Sequence, residues 1–242
     1  MDFKSFDAGL CREALLSYEA VIKTLEKPNL ISLDDFYRGE LPDLLHKRDP
    51  KPYITTDELS KLMQWKLARG KWRPRLLSFV SSLDDAVVRD ASRKAFASLP
   101  DVSKAVSELT VLKGVGPATA SAVLAAYTPD VAPFMSDEAM MAVIGDAKDY
   151  SLKRYVVFAE KMQAKAKNKL LKMISEFDGT SLSISDQSFQ IQLEELSSSD
   201  DLFTPSDVER ALWSSTVSAK VKTMSTKPDE VELGKKSKRK RK

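Results

Sequence analysis

Residues 109–138 read LTVLKGVGPATASAVLAAYTPDVAPFMSDE and contain the most specific pattern of the chain. Two stretches with helical apolar spacing flank Gly114-Val115-Gly116, and Pro117 opens the second stretch. Glycines permit a tight turn with positive φ values and let the main chain approach a partner closely. Proline is favoured in the first turn of a helix, where its missing N–H leaves no bond unmade. The pattern predicts two helices joined by a short glycine bend.

The predicted bend is a candidate phosphate site. The first N–H groups of a helix have no partner within it, and together with the helix dipole they attract anions. We expect the apolar side chain of Val115 to pack in the core and anchor the bend there, while the bend contacts a phosphate of DNA. A plain glycine-containing turn between two helices is the alternative. The candidate DNA-binding residues are Lys113, Gly114, Val115, Gly116, Ala118 and Thr119.

The segment LKGVGPATASAVL resembles the helix-hairpin-helix of the DNA glycosylase superfamily that is named for its hairpin, a Gly/Pro-rich loop and a catalytic aspartate. Residues 130–137, DVAPFMSD, resemble the loop that ends in this aspartate, and the whole resemblance covers residues 102–142. It implies an all-α, two-lobed helical fold with Asp137 at the mouth of the cleft. There the carboxylate would stabilise an oxocarbenium-like sugar, or orient water, as a flipped base departs. Alternatively, Asp137 is an acidic N-cap of the helix that begins near Ala139.

The sequence departs from this family at two functional positions. Bifunctional members carry a Schiff-base lysine two residues after the second glycine, where this chain has Ala118. The single cysteine, Cys11, cannot make the iron–sulfur loop of some members, and we expect no cofactor. We therefore expect a nuclear DNA-binding protein with a catalytically diverged or inactive form of the fold. The alternative is a monofunctional, hydrolytic DNA N-glycosylase of base excision repair, with Asp137 as its catalytic carboxylate.

Residues 65–75, WKLARGKWRPR, form a basic segment with two interleaved tryptophans. Cations contact phosphates and release counterions, and indoles can stack on an exposed base. The alternative is that Trp65 and Trp72 are core residues and that the cations form a solvated face. The candidate DNA contacts in this segment are Lys66, Arg69, Lys71, Arg73 and Arg75.

The positive charge is concentrated at the C-terminal end. The 242 residues include 38 Lys and Arg and 35 Asp and Glu, and the stretch KKSKRKRK from Lys235 to Lys242 holds seven of the basic groups. Without it the count is 31 basic against 35 acidic residues, so a local patch or the tail must attract any polyanion. The tail predicts a nuclear-localisation signal, with a nuclear import receptor as partner and the nucleus as location. A solubilising end is the alternative.

Composition excludes several classes of protein. One cysteine and one histidine, His46, exclude multi-His and four-Cys metal centres, and we expect no metal. No apolar run approaches the 18 residues typical of a membrane-spanning helix, so we expect no membrane contact.

Apolar periodicity predicts an all-α chain. We expect one helix over 5–26, one or two helical turns within 30–50, and a helix that opens at Thr55 and ends at Gly70. The predicted organisation is N-terminal helices packing on the core (1–52), a glycosylase-like core (53–177), a Ser/Asp-rich loop (178–202), a docked C-terminal helix (203–223) and a disordered basic tail (224–242).

Overall fold

The computed structural model describes residues 3, 5, 7–145, 149–177 and 203–225, with side chains outside 168–177 and 224–225. These ranges are helical and contain no strand, which confirms the all-α class. The predicted loop 178–202, the basic tail beyond residue 225 and its nuclear-localisation signal lie outside the described residues.

The first helical stretch is two helices, α1 (Ala8–Leu16) and α2 (Tyr18–Thr24), so the single helix predicted over 5–26 is wrong. The junction is Ser17, whose Oγ donates to the carbonyl of Ala14 at 3.0 Å. Serine side chains that bond to nearby carbonyls compete with regular helix and bend it.

Residues 30–46 are helical without interruption, longer than the one or two turns predicted there. Helix α3 (Leu30–Asp35) runs into a π-helical turn (Phe36–Glu40) and then α4 (Leu41–His46). Gly39 lies within the π turn and does not end the helical stretch. Pro42 falls in the first turn of α4, where proline is tolerated.

Three helices with clear sequence signals follow: α5 (Thr56–Arg69), α6 (Pro74–Ser81) and α7 (Asp85–Ala97). The opening of α5 is a capping box, in which Thr55 N donates to Glu58 Oε2 at 2.9 Å and Glu58 N donates to Thr55 Oγ1 at 3.3 Å. Helix α5 ends at Gly70 as predicted.

The hairpin consists of α8 (Val102–Thr110) and α9 (Pro117–Tyr127), and α10 (Asp137–Ile144) and α11 (Leu152–Phe177) come after it. Helix α9 consists mainly of small and aliphatic residues and is buried along most of its length. It packs against α4, α5, α8 and α11. Residues 119–126 of α9 are buried, whereas Pro117 and Ala118 at its N-terminus are half-buried, so this end of the helix lies at the surface.

The last described helix, α12 (Pro205–Ser225), docks on the body as predicted and extends two residues beyond residue 223. It packs against α1, α2, α10 and α11, so the N-terminal and C-terminal helices share one hydrophobic core with the middle of the chain. No helix in the described part is long and apolar enough to cross a bilayer.

Candidate nucleic-acid interface

One cavity of about 570 Å³ brings together the elements that the sequence singled out separately. The end of α5, the loop after it, the glycine bend and the start of α10 all contribute to its wall. Lys66, Gly116 and Asp137, which are far apart in the sequence, therefore line one space.

The two glycines of the bend differ in conformation. Gly114 has φ +89°, and a Cβ there would lie 2.8 Å from Cβ of Phe79 on α6, so the position requires glycine. Gly116 is extended, with φ −101°, and a Cβ there would meet nothing within 4 Å. The positive φ that the sequence allows at the bend is adopted by Gly114 and not by Gly116, which instead leaves open space in front of the helix.

The start of α9 presents free amides. Val115 N donates to the carbonyl of Leu112 at 3.0 Å, and the amides of Thr119 and Ala120 both donate to Gly116 O at 2.9 Å. Within the described residues, the N–H groups of Gly116 and Ala118 donate no hydrogen bond. Both residues line the cavity and Gly116 is exposed. The bend is thus open to a partner.

Side chains of the bend divide into buried and exposed groups. Val115 is buried and fixes the bend to the core, as predicted, and Thr119 is buried as well. Lys113 is exposed, with its Nζ 4.8 Å from the ring centroid of Phe79. The main chain at Gly116 and Ala118 and the ammonium of Lys113 are therefore what the bend offers to an anion.

Arg69 does not behave as the sequence predicted. It is 4% exposed, and its Nη1 and Nη2 donate to Glu209 of α12 at 3.0 and 3.3 Å. Its guanidinium also lies 4.3 Å from the ring centroid of Trp213. A buried arginine held by a carboxylate is not available to a phosphate, so the structure removes Arg69 from the candidate DNA contacts.

The two tryptophans of the basic segment have opposite environments. Trp65 is fully buried, stacks on Tyr37 with centroids 3.5 Å apart, and donates its Nε1–H to Asp34 at 2.7 Å. The core interpretation is confirmed for Trp65. Trp72 is 59% exposed, so the same interpretation is wrong for it.

The other four cations of the segment remain available. Lys66, Lys71 and Arg73 line the cavity, and Arg75 is exposed outside it. None of the four forms an ion pair with a carboxylate of the described chain. Burial, together with the charge of Arg73, lowers the pKa of Lys66 to about 8, and Asp137 partly opposes this change.

Asp137 is the first residue of α10 and is exposed at the cavity wall. The N-cap is Ser136, whose Oγ accepts from Ala139 N at 3.4 Å, so the alternative in which Asp137 is the cap is wrong. Tyr150 donates its hydroxyl to Asp137 Oδ1 at 2.6 Å. Partial burial and this hydrogen bond raise the pKa of Tyr150. Tyr150 therefore fixes one oxygen of the carboxylate.

Sequence reasoning missed several lining residues that come from other parts of the chain. Lys220 of α12 pairs with Glu138 at 3.3 Å, and Lys27 donates its Nζ to the carbonyl of Ala68 at 2.6 Å. Tyr150 was also missed. No local pattern marks these residues: Lys220 lies on α12, Lys27 in the residue 25–29 loop and Tyr150 in the loop before α11, and only packing brings them to the cavity.

Among the described residues, no three His, Cys, Asp or Glu side chains come close enough together to hold a metal ion. The chain matches no protein-family model, no curated protein and no solved structure. The finer glycosylase-like fold therefore stays a prediction beside the confirmed all-α class.

Proposed function

We propose that this chain binds the phosphate backbone of duplex DNA through the cavity and the glycine bend. The observation that carries the proposal is that the open amides of Gly116 and Ala118 line the same cavity as Lys66, Lys71 and Arg73. Amides at a helix start and cations without carboxylate partners are the groups that hold a phosphate. We include in the proposal the glycosylase-like, two-lobed arrangement that the resemblance implies.

Charge distribution supports a local rather than a diffuse interaction. Outside residues 235–242 the chain carries more acidic than basic groups, so non-specific attraction by the whole body is weak. The basic tail would add attraction to DNA and, through an import receptor, would place the protein in the nucleus. Loss of nuclear accumulation on removal of residues 235–242 tests that part.

The test of the proposal compares Gly116→Glu with Gly116→Gln. Neither side chain meets a Cβ clash or a positive φ, so both variants should fold, and they differ only in charge. We expect the glutamate to weaken duplex binding about tenfold and the glutamine far less, because a carboxylate beside the free amides repels phosphate.

The same change at an exposed helical glycine away from the cavity, Gly39→Glu, serves as the control. It should leave affinity unchanged when binding is measured by fluorescence anisotropy at several salt concentrations. Equal affinity of Gly116→Glu and Gly116→Gln for duplex DNA would remove the bend from the proposal.

A second candidate function is hydrolytic DNA N-glycosylase activity. The observation that favours it is the exposed carboxylate of Asp137, held by Tyr150 at the wall of a cavity of about 570 Å³. A carboxylate in that position can stabilise positive charge on a sugar as a base leaves.

Base release from oligonucleotides with deaminated, oxidised and alkylated bases tests this second function. Release by the wild type that disappears in Asp137→Asn supports it, and Asp130→Asn at an exposed position of the preceding loop is the matched control. Salt-dependent binding without release supports the non-enzymatic alternative.

A further inference from the structure

A second cavity, of about 510 Å³, lies beside the first and shares Lys27, Leu67 and Gly70 with it. Lys27 lines both cavities. Its Nζ donates hydrogen bonds to the carbonyls of Ala68, at 2.6 Å, and Gly70, at 3.4 Å. The Gly70–Arg73 loop is thereby tied to the residue 25–29 loop. The two cavities therefore adjoin along Lys27, Leu67 and Gly70, so an extended ligand in both would cross these residues.

The walls of the second cavity combine an aromatic face with free amides. Trp72 and the aliphatic side chains of Leu33, Leu67 and Leu77 supply the apolar part. The side-chain amides of Asn29 and Gln64 also line it, and neither forms a hydrogen bond with a described residue. An amide offers a donor and an acceptor together, which is the pattern that a nucleobase edge pairs with.

Trp72 is suited to stack on a planar ligand. It is the exposed tryptophan of the described part, since Trp65 and Trp213 are both at or below 1% exposure. Its neighbours Lys71, Arg73 and Arg75 are exposed cations without carboxylate partners in the described chain. An exposed indole can hold a base through its ring face, while cations next to it in the sequence can contact the adjoining phosphates.

We infer that this second cavity binds one unpaired nucleobase of a DNA strand whose backbone occupies the first cavity. The inference rests on the proposed function, because the strand must reach the second cavity from the first. An aromatic or proline-rich peptide is the competing occupant, and the cations Lys71 and Arg73 that line the adjoining first cavity favour a polyanion over such a peptide.

The experiment uses two duplexes of identical sequence and charge. One contains a single bulged adenosine, and in the other that nucleotide is abasic. We expect the wild-type chain to bind the bulged adenosine about tenfold more tightly, because only this probe can stack on an indole. Tryptophan emission should fall on binding, and the fall should report Trp72, since the other two tryptophans are buried.

Variants assign the effect to residues. Trp72→Ala should bind both probes equally, and Trp72→Phe should keep much of the preference. The double variant Asn29→Gly, Gln64→Ala should reduce it, with glycine at position 29 because Asn29 has φ +60°. Leu16→Ala, which removes an exposed apolar side chain on α1, is the control and should keep the full preference. Far-UV circular dichroism checks that each variant is folded.

The outcomes separate this inference from the proposed function. If both probes bind equally with the same salt dependence and unchanged emission, the base site is overturned while backbone binding stands. If neither probe binds, both proposals fail. Quenching of Trp72 by a proline-rich peptide, with no preference between the two duplexes, would assign the second cavity to a protein partner instead.

Discussion

The basic segment 65–75 has two halves that differ in environment although they look alike in sequence. In the helical half, at the end of α5, Trp65 and Arg69 are buried and bonded to Asp34 and Glu209. In the loop half, Lys71 and Trp72 are exposed and Arg73 has no carboxylate partner in the described chain. Charge density in a sequence therefore does not tell which cations are free, because the helix face and the distant partner decide it.

The glycine bend shows the same contrast on a smaller scale. Gly114 is fixed by its positive φ and by contact with Phe79, whereas Gly116 is unconstrained and faces the cavity. In both regions, a group needed for folding stands within a few residues of a group available to a ligand. Substitutions should therefore separate loss of stability from loss of binding.

The largest effect is expected from Glu209→Ala, which leaves the guanidinium of Arg69 buried without a partner. Breaking a buried ion pair on one side costs about 3–5 kcal/mol of unfolding free energy. Urea unfolding followed by circular dichroism measures it. Glu19→Ala removes the exposed pair with Lys23 and should leave stability almost unchanged. A loss of unfolding free energy as small as that of Glu19→Ala would show that the buried ion pair does not distinguish the helical half from the loop half.

Gly114→Ala and Gly116→Ala should differ in stability. The first places a Cβ at φ +89° and 2.8 Å from Phe79, which should lower the unfolding free energy by about 1–3 kcal/mol. The second should change it by less than about 0.5 kcal/mol. Thermal denaturation of both variants, side by side, provides the measurement, and equal melting temperatures would contradict the distinction.

Arg73→Gln and Arg75→Gln test the loop half. Each should weaken duplex binding several-fold and reduce the magnitude of the salt slope by about 1, since each removes about one phosphate contact. Stability should not change, because neither side chain is buried. Lys51→Gln, an exposed lysine that does not line either cavity, should keep the wild-type slope, and a slope unaffected by Arg73→Gln would argue against this half.

The smallest expected effect is a pH dependence at Lys66. The pKa of Lys66 is about 8, so its charge is present below that pH and is lost above it, whereas an ordinary lysine stays charged to about pH 10. Between pH 7 and 9, wild-type affinity for duplex DNA should fall by roughly two- to fivefold. Lys66→Gln should show a smaller fall, and parallel profiles for the two proteins would exclude Lys66 from the interface.

Much of the fold could be predicted because its signals are local. Thr55 and Glu58 form the capping box that the sequence suggested, and Pro117 opens α9 as expected. The errors have local physical causes that sequence patterns do not weigh, such as the hydrogen bond of Ser17 that ends α1 and the π turn that carries the chain past Gly39.

The candidate site was predicted less completely. The bend, Asp137 and three of the four available basic-segment cations line the cavity, whereas Arg75 is exposed outside it. Each of these groups was recognisable from its own local sequence. Arg69 was misassigned because its partner Glu209 lies 140 positions later, and buried pairing at that separation has no sequence signature. Tyr150 and Lys220 were missed for another reason: their contacts with Asp137 and Glu138 are exposed and span 13 and 82 positions, and no local pattern marks either residue.

The link between Arg69 and Glu209 also bears on how the chain matures during synthesis. The guanidinium of Arg69 has no counterion until position 209 has been translated, because its carboxylate partner is Glu209 of α12. Until then, the ring of Trp213 that covers this group is missing too. The interior around Arg69 is therefore complete only once α12 has been synthesised and has docked.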